Sequence, residues 1–331
     1  MTADGTIVLT RSDVAALLSL EECIAAVEQA FRLHGERKAT PPGVLALHSA
    51  EGAFHIKAGM LVSSRPYFVA KGNTNFAANP QRFGLPAIQG VIVMCDALDG
   101  RLLALLDSIE ITIQRTGAAT AVAAKYLARP DSRVATICGC GNQGRVQLRC
   151  LKTVLPLEQV SAFDADSNQA QRFAAEMSRE LGLKVEAVSD LGRAARESDI
   201  VVTCTPSKQA YFEKEFVRLG TFLAAVGADA PDKQELEPAL LVGSKLVTDV
   251  TEQCATLGEL HHALEAKLLA RADVHAELGE VVAGRKPGRT SADEITLFDS
   301  TGMALQDAAA SILVYERALA AGRGLKVNLA G

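Results

Sequence analysis

Apolar and polar positions along the chain fall into two textures. From Arg133 to about Val250, short apolar runs alternate with segments of helical spacing, separated by brief turn signals; this is the pattern of a doubly wound parallel sheet. Strands are predicted at Val134–Cys138, Val160–Phe163, Val185–Val188, Ile200–Thr205, Thr221–Val226 and Leu246–Val250, and a late apolar run follows at Ile295–Phe298. Ser167 begins a predicted helix that Gly182 ends, Pro206 breaks the fourth strand, and the sixth strand leads into a helix through about Ala266. The first part of the chain reads differently. Asp13–Gly35 carries apolar residues at helical spacing, but Val44–Asp107 is a series of short extended runs between Gly, Pro and Asn, which marks a second domain. Alanine-rich Ile111–Leu127 predicts a helix joining the two, and a last helix at Met303–Ala321 is expected to pack back on the first domain.

One turn sharpens this picture. The first strand runs directly into Gly139-Cys140-Gly141-Asn142-Gln143-Gly144, which supplies all three glycines of G-x-G-x-x-G. Gly139 suits a tight turn, Gly141 lets backbone approach a pyrophosphate, and Gly144 lets the following helix pack close to the strand. That helix, from about Gln143 to Leu155, would aim its N-terminal amides at the phosphates. Asp164 ends the second strand 20 residues beyond Gly144, where an acid meets the adenosine ribose. The expectation is an α/β chain: a Rossmann sheet over residues 119–303 that binds NAD, and a second α+β domain formed by 1–118 and 304–331. A carboxylate at Asp164, with Asp166 nearby, favours NAD over NADP, which stays possible. A bland alternative is that Asp164 shapes a turn while Asp166 and Ser167 cap the next helix.

Composition narrows the function classes. With 48% hydrophobic and 22% charged residues, and a formal net charge of -5, the chain offers no basic field for nucleic acid. Its start lacks the order of a signal peptide and no apolar run is long enough to span a bilayer, so a cytoplasmic protein is expected. The 7 cysteines are scattered, mostly in apolar runs, and imply no disulfide framework. Cys138 and Cys140 flank a glycine of the nucleotide turn, and adjacent His261 and His262 are expected to point to different sides of a helix, so no metal site is predicted.

In an open α/β sheet the reacting groups come from segments leaving the carboxyl ends of the strands. Two segments qualify, Gly227–Lys233 with Asp229 and Asp299–Gly302 with Ser300, while Thr205, at the end of the fourth strand, is a cofactor-binding candidate. The second domain offers cations: Lys57, Lys71 and Arg115 each interrupt an apolar or small-residue context. Two readings stay open for them, a substrate cradle or, respectively, strand lysines facing water and a surface helix arginine.

Several segments together resemble the ornithine cyclodeaminase and mu-crystallin family: Lys71–Asn75, GLPAIQG at Gly84–Gly90, the helix start Arg115–Ala118, the glycine turn, GADAPDKQEL at Gly227–Leu236 and FDSTGMALQD at Phe298–Asp307. The resemblance implies a homodimer whose first domain, with the C-terminal helix, makes the subunit contact and holds substrate over the nicotinamide. It assigns Lys71 and Arg115 to substrate binding, Asp229 and Lys71 to catalysis, Thr116 to the neighbourhood of the phosphates, and Ser300–Gly302 to that of the nicotinamide. One departure concerns substrate. Many members carry a carboxylate-binding arginine after an early proline, where this chain has Pro41-Pro42-Gly43-Val44. Lys57 is the expected replacement, a point charge in place of a fork. The function implied is an NAD(P)-dependent oxidoreductase acting on the C–N bond of a small amino acid or its cyclic or linear imine. Its rivals are a cyclodeaminase-type ammonia lyase with catalytic NAD, and a non-catalytic crystallin-like binding protein.

Overall fold

A computed structural model describes residues 5–40 and 42–329. Pro41, within the segment where the family arginine is missing, lies outside the described residues. The chain divides into two compact units, one made of the residues up to Arg115 and from Met303 onward, the other of Thr116–Gly302.

The first unit opens with β1 (Thr6–Leu9), α1 (Arg11–Leu17) and α2 (Leu20–Gly35), and continues through β2 (Gly43–His48), β3 (Ala53–Val62), β4 (Pro66–Asn75), α3 (Asn79–Phe83), β5 (Ile88–Asp96) and β6 (Leu102–Asp107). The helix α4 (Ser108–Leu127) contains the unit boundary. In the second unit follow β7 (Val134–Cys138), α5 (Asn142–Val154), β8 (Gln159–Phe163), α6 (Ser167–Leu181), β9 (Lys184–Ala187), α7 (Leu191–Glu197), β10 (Ile200–Thr203), β11 (Lys208–Phe212) and β12 (Phe222–Ala225). The unit is completed by β13 (Gln234–Leu236), α8 (Pro238–Leu241), β14 (Lys245–Thr248), α9 (Thr251–Leu257), α10 (Glu259–Glu265), β15 (Ala276–Glu277), α11 (Leu278–Val282) and β16 (Thr296–Asp299). The first unit then closes with α12 (Ala304–Ala321) and β17 (Leu325–Val327).

In the first unit seven strands form a mixed sheet in the order β17-β1-β6-β5-β4-β3-β2. Along β3 the residues alternate: Gly59 and Leu61 are buried, while Phe54, Ile56, Met60 and Val62 are exposed, as expected of a strand with one covered face. α12 packs on β3, β4 and α2. At Gly59 a side chain would stand 2.9 Å from the Leu305 side chain, so glycine is what allows this approach. The run expected as helix from Asp13 is two helices, because Leu18 turns extended and Ser19 restarts the chain. α1 is held at its start by a capping box of Thr10 and Asp13.

The second unit is the doubly wound sheet that the alternating pattern predicts. Eight parallel strands lie in the order β15-β14-β16-β12-β10-β7-β8-β9. Its central strands are buried on both faces, which explains why they read as unbroken apolar runs. The helix expected to continue to about Ala266 breaks at Gly258, whose backbone is extended, and restarts as α10. Short strands β11, β13 and β15, and the terminal pair β1 and β17, were not predictable from periodicity, since so few residues show no period.

Candidate active site

The glycine turn leaves β7 at Cys138. Gly139 has φ +101, and a side chain there would meet the Cys204 carbonyl at 2.8 Å; at Gly144 it would meet the Gly139 carbonyl oxygen at 2.1 Å. Both glycines are therefore dictated by close packing. Gly141 is different: nothing lies within 4 Å of a side chain placed there, so the turn faces open space. α5 begins at Asn142 with no side-chain cap, leaving the first-turn amides of Asn142, Gln143 and Gly144 without the partner a capping residue supplies. Arg145 braces the turn, donating to the Cys140 carbonyl at 2.7 Å while its guanidinium grips Glu176.

Asp164 at the end of β8 accepts the Cys140 amide at 2.8 Å and the Asp166 amide at 3.0 Å, and Asp166 caps α6 through the Asn168 amide. The local turn role and a place beside the glycine loop thus coexist. A cavity of about 1030 Å³ within this unit is lined by Gly139, Gly141, Asp164, Asp190, Thr205 and Pro206, among others. Open space over Gly141, an uncapped helix start and a cavity of dinucleotide size fit a pyridine dinucleotide.

Along the carboxyl ends of the neighbouring strands runs a string of buried acids. Glu235 accepts the Thr205 amide at 2.6 Å, the Thr205 hydroxyl at 2.7 Å, the Tyr211 hydroxyl at 2.9 Å and the Gly227 amide at 2.9 Å. Glu259 accepts the amides of Glu235 and Leu236, and Asp299 those of Glu259 and Leu260. Asp249 accepts the Thr301 hydroxyl at 3.0 Å and the Gly302 amide at 2.6 Å, and Gln253 donates to Thr301 at 2.7 Å. Ser300, Thr301 and Gly302 are consequently buried and fixed. Burial raises the pKa of Glu235 despite its donors and that of Glu259 well above the carboxylate range; burial, with Asp249 adding, pushes Asp299 up to about 7.

In the first unit, Lys71 on β4 and Arg115 on α4 meet Asp307 on α12. Lys71 Nζ and Arg115 Nε both donate to Asp307 Oδ1 at 2.9 Å; Lys71 also reaches the Thr112 hydroxyl at 3.3 Å, and Arg115 Nη1 donates to Gln306 at 2.9 Å. Asp307 Oδ2 is buried without a partner. Lys57 on β3 stands directly opposite Lys71 in the ladder, hence on the same face, and its charge acts on both Lys71 and Asp307. Burial drives the Lys71 pKa down to about 7 against the pull of Asp307. Burial would raise Asp307, but Arg115 and Lys71 outweigh it and hold the carboxyl below its usual range.

The alternative that faced Lys71 and Arg115 to water is excluded: both are buried, at 3% and 5% exposure. Asp229 sits on the exposed loop after β12, its carboxylate 2.5 Å from Lys233 Nζ. Thr116 is buried in α4. The histidines do not diverge as expected. Their rings meet edge to face 5.1 Å apart, and His262 Nε2 lies 2.8 Å from the Lys233 carbonyl. Asp307, Glu235, Glu259, Asp249 and Gln253 escaped sequence reasoning. For Asp307 a signal existed, a lone acid inside the apolar helix ALQDAAASILVY, which requires a buried partner.

Comparison with known proteins places this geometry. The ornithine cyclodeaminase/mu-crystallin family matches over residues 4–322. An alanine dehydrogenase from Archaeoglobus fulgidus is 38% identical over 324 residues, covering 98% of each chain. The structure of an archaeal alanine dehydrogenase dimer with bound NAD superposes with a TM-score of 0.94 at 38% identity, over 98% of this chain and 99% of that one. Thermococcus litoralis Δ1-pyrroline-2-carboxylate reductase, in complex with NADH and L-proline, gives 0.92 at 34% identity, over 97% and 100%. With its glycine turn, its Lys71–Arg115 cluster and its full-length match, the chain belongs to the ornithine cyclodeaminase/mu-crystallin family.

Proposed function

We propose that this protein is an NAD-dependent oxidoreductase acting on the C–N bond of a small amino acid or of the corresponding imine. The observation that carries the reading is a buried excess of positive charge: Lys71 and Arg115 share one anion, Asp307, with Lys57 adjoining. Such an excess is costly in an apolar interior and is relieved by an anionic ligand. A carboxylate matches it, because a guanidinium carries five donors and the protein fixes only part of that fork through Asp307 and Gln306. The Glu235 and Asp249 anchors hold the loops of Thr205, Gly227 and Ser300–Gly302, and the glycine turn with Asp164, Asn142 and Gln143 is suited to the pyrophosphate and ribose.

Held by the glycine turn and Asp164, NAD would supply hydride exchange at its nicotinamide ring. Every other requirement falls to the chain. Lys71 and Arg115, with Lys57, orient the carboxylate, and Asp229 takes the proton from the ammonium nitrogen or returns one to it. Lys71, with a pKa near neutrality, also exchanges a proton at Nζ. Asp164 supports NAD in preference to NADP, since a carboxylate there repels a 2'-phosphate.

The A. fulgidus relative and the T. litoralis neighbour support dehydrogenation or imine reduction over cyclodeamination. The dimeric neighbour supports a homodimer. So does the uncovered face of the mixed sheet, where Leu45, Leu47, Phe54, Ile56 and Val91 are all exposed. Seven cysteines outside any disulfide among the described residues support a reducing compartment, the cytoplasm. The test is a panel of amino acids with NAD, and of imines or oxo acids plus amines with NADH or NADPH, read for both absorbance and ammonia. Net NADH formation or consumption matching substrate is expected; ammonia without any accumulated NADH would move the assignment to a cyclodeaminase, and silence across the panel to a binding protein.

A further inference from the structure

β10 and β12 are adjacent parallel strands, and beyond their last paired residues, Thr203 and Ala225, the chain leaves each at the same edge of the sheet. The backbone ladder adds only the Val226 amide to the Thr203 carbonyl, at 2.8 Å, after which the two exits are free to separate. Glu235, fully buried on β13, closes that gap. One of its carboxylate oxygens takes the amide and hydroxyl of Thr205 together with the Tyr211 hydroxyl; the other takes the Gly227 amide. A side chain at Gly227 would lie 2.4 Å from Glu235 Oε2 and 2.3 Å from the Thr205 carbonyl oxygen, so the carboxylate fills the space between the two exits.

Glu235 is itself located by backbone. Its amide and that of Leu236 bond to Glu259, whose own amide, with that of Leu260, bonds to Asp299 at the end of β16. The string therefore ties together the ends of β10, β12 and β16, three neighbours on one side of β7, while Asp164 ends β8 on the other side. A dinucleotide bound across the end of such a sheet places adenosine on the Asp164 side and the redox ring on the opposite side.

We infer that Glu235 is the positioning residue for the nicotinamide half of the dinucleotide: by clamping the Thr205 and Gly227 exits it sets the floor against which the ring is held. This rests on the dinucleotide reading above. Glu235→Gln keeps the shape but replaces one acceptor with a donor, which then faces the N–H of either Thr205 or Gly227. Tyr211→Phe removes a single donor from the same carboxylate and preserves its charge.

The experiment titrates the full-length wild type and both variants with NAD and with ADP-ribose by calorimetry, and measures turnover alongside. In Glu235→Gln the advantage of NAD over ADP-ribose disappears, ADP-ribose affinity stays within about twofold, and kcat falls about tenfold or more with little change in the substrate KM, as loss of one charged hydrogen-bond set implies. Tyr211→Phe shifts the same quantities in the same direction by less. Equal losses for both ligands would show a merely structural residue, and unchanged NAD binding with unchanged kcat in both variants would show none; either overturns the inference. Should Glu235→Gln fail to fold, Tyr211→Phe alone decides by the same two comparisons. Wild type that binds neither ligand would remove the dinucleotide reading itself, and this inference with it.

Discussion

In the first unit Lys71 and Arg115 converge on one oxygen of Asp307, whereas in the second Glu235, Glu259, Asp299 and Asp249 are satisfied by amides and hydroxyls. The cation cluster carries more positive than negative charge and leaves Asp307 Oδ2 without a partner. The acid string runs in one direction: Asp249 accepts from the residues that follow Asp299, Asp299 from the segment that carries Glu259, Glu259 from the segment that carries Glu235, and Glu235 from Thr205, Tyr211 and Gly227. An unbalanced buried cluster is built to receive a ligand of opposite charge; a self-satisfied one is built to hold its neighbours in place.

The largest break in this contrast comes from Asp307→Asn, which removes the anion that Lys71 and Arg115 share and leaves the buried guanidinium without a charge partner. A loss of roughly 3–5 kcal/mol of stability is expected, visible in chemical denaturation, with activity lost as well. A denaturation midpoint equal to wild type would mean the pair contributes little. Next is Arg115→Lys. Removing the fork while keeping the charge should raise substrate KM about tenfold, one charged hydrogen bond's worth, with NAD affinity unchanged by calorimetry; a change in NAD affinity alone would place Arg115 on the wrong ligand.

A smaller effect separates the two regions by pH. Lys71 titrates at about 7 in the folded protein against an ordinary 10.5, because burial disfavours its charged form. Carboxylate binding needs that charge, so kcat/KM should fall as pH rises through about 7, and Lys71→Arg, charged throughout, should flatten that limb. For Asp299 the sign is opposite. Its folded pKa of about 7 lies above the ordinary 3.8, so its stabilising contribution is complete below 3.8 and is lost as pH rises through about 7. The denaturant midpoint of Asp299→Asn should therefore move less than that of wild type between about pH 4 and 7. Parallel curves would remove Asp299 from the pH dependence.

The sheet of the second unit was readable because a strand buried on both faces shows as an apolar run, and because GCGNQG places three glycines where packing admits nothing larger. The two active regions were readable only from one side. Lys71 and Arg115 stand out as charges in apolar text, but their partner lies 236 and 192 residues away, and no local pattern records that meeting. Glu235 and Glu259 look like ordinary surface acids in KQEL and GEL, since amides, which every sequence has, satisfy them. The break at Gly258 has the same origin: the Asp299 carboxylate, 2.6 Å from where a side chain would begin, takes the amides that would otherwise prolong the helix.

The cation cluster's role is tested most directly without altering the protein. An amino acid that turns over with NAD is compared with its carboxamide, which keeps the amine and the α-hydrogen but lacks the negative charge. The account predicts that kcat/KM for the carboxamide falls by at least about a hundredfold, two charged hydrogen bonds' worth, while NAD affinity is unchanged. Equal kcat/KM for the two compounds would contradict the claim that Lys71 and Arg115 exist to hold a carboxylate.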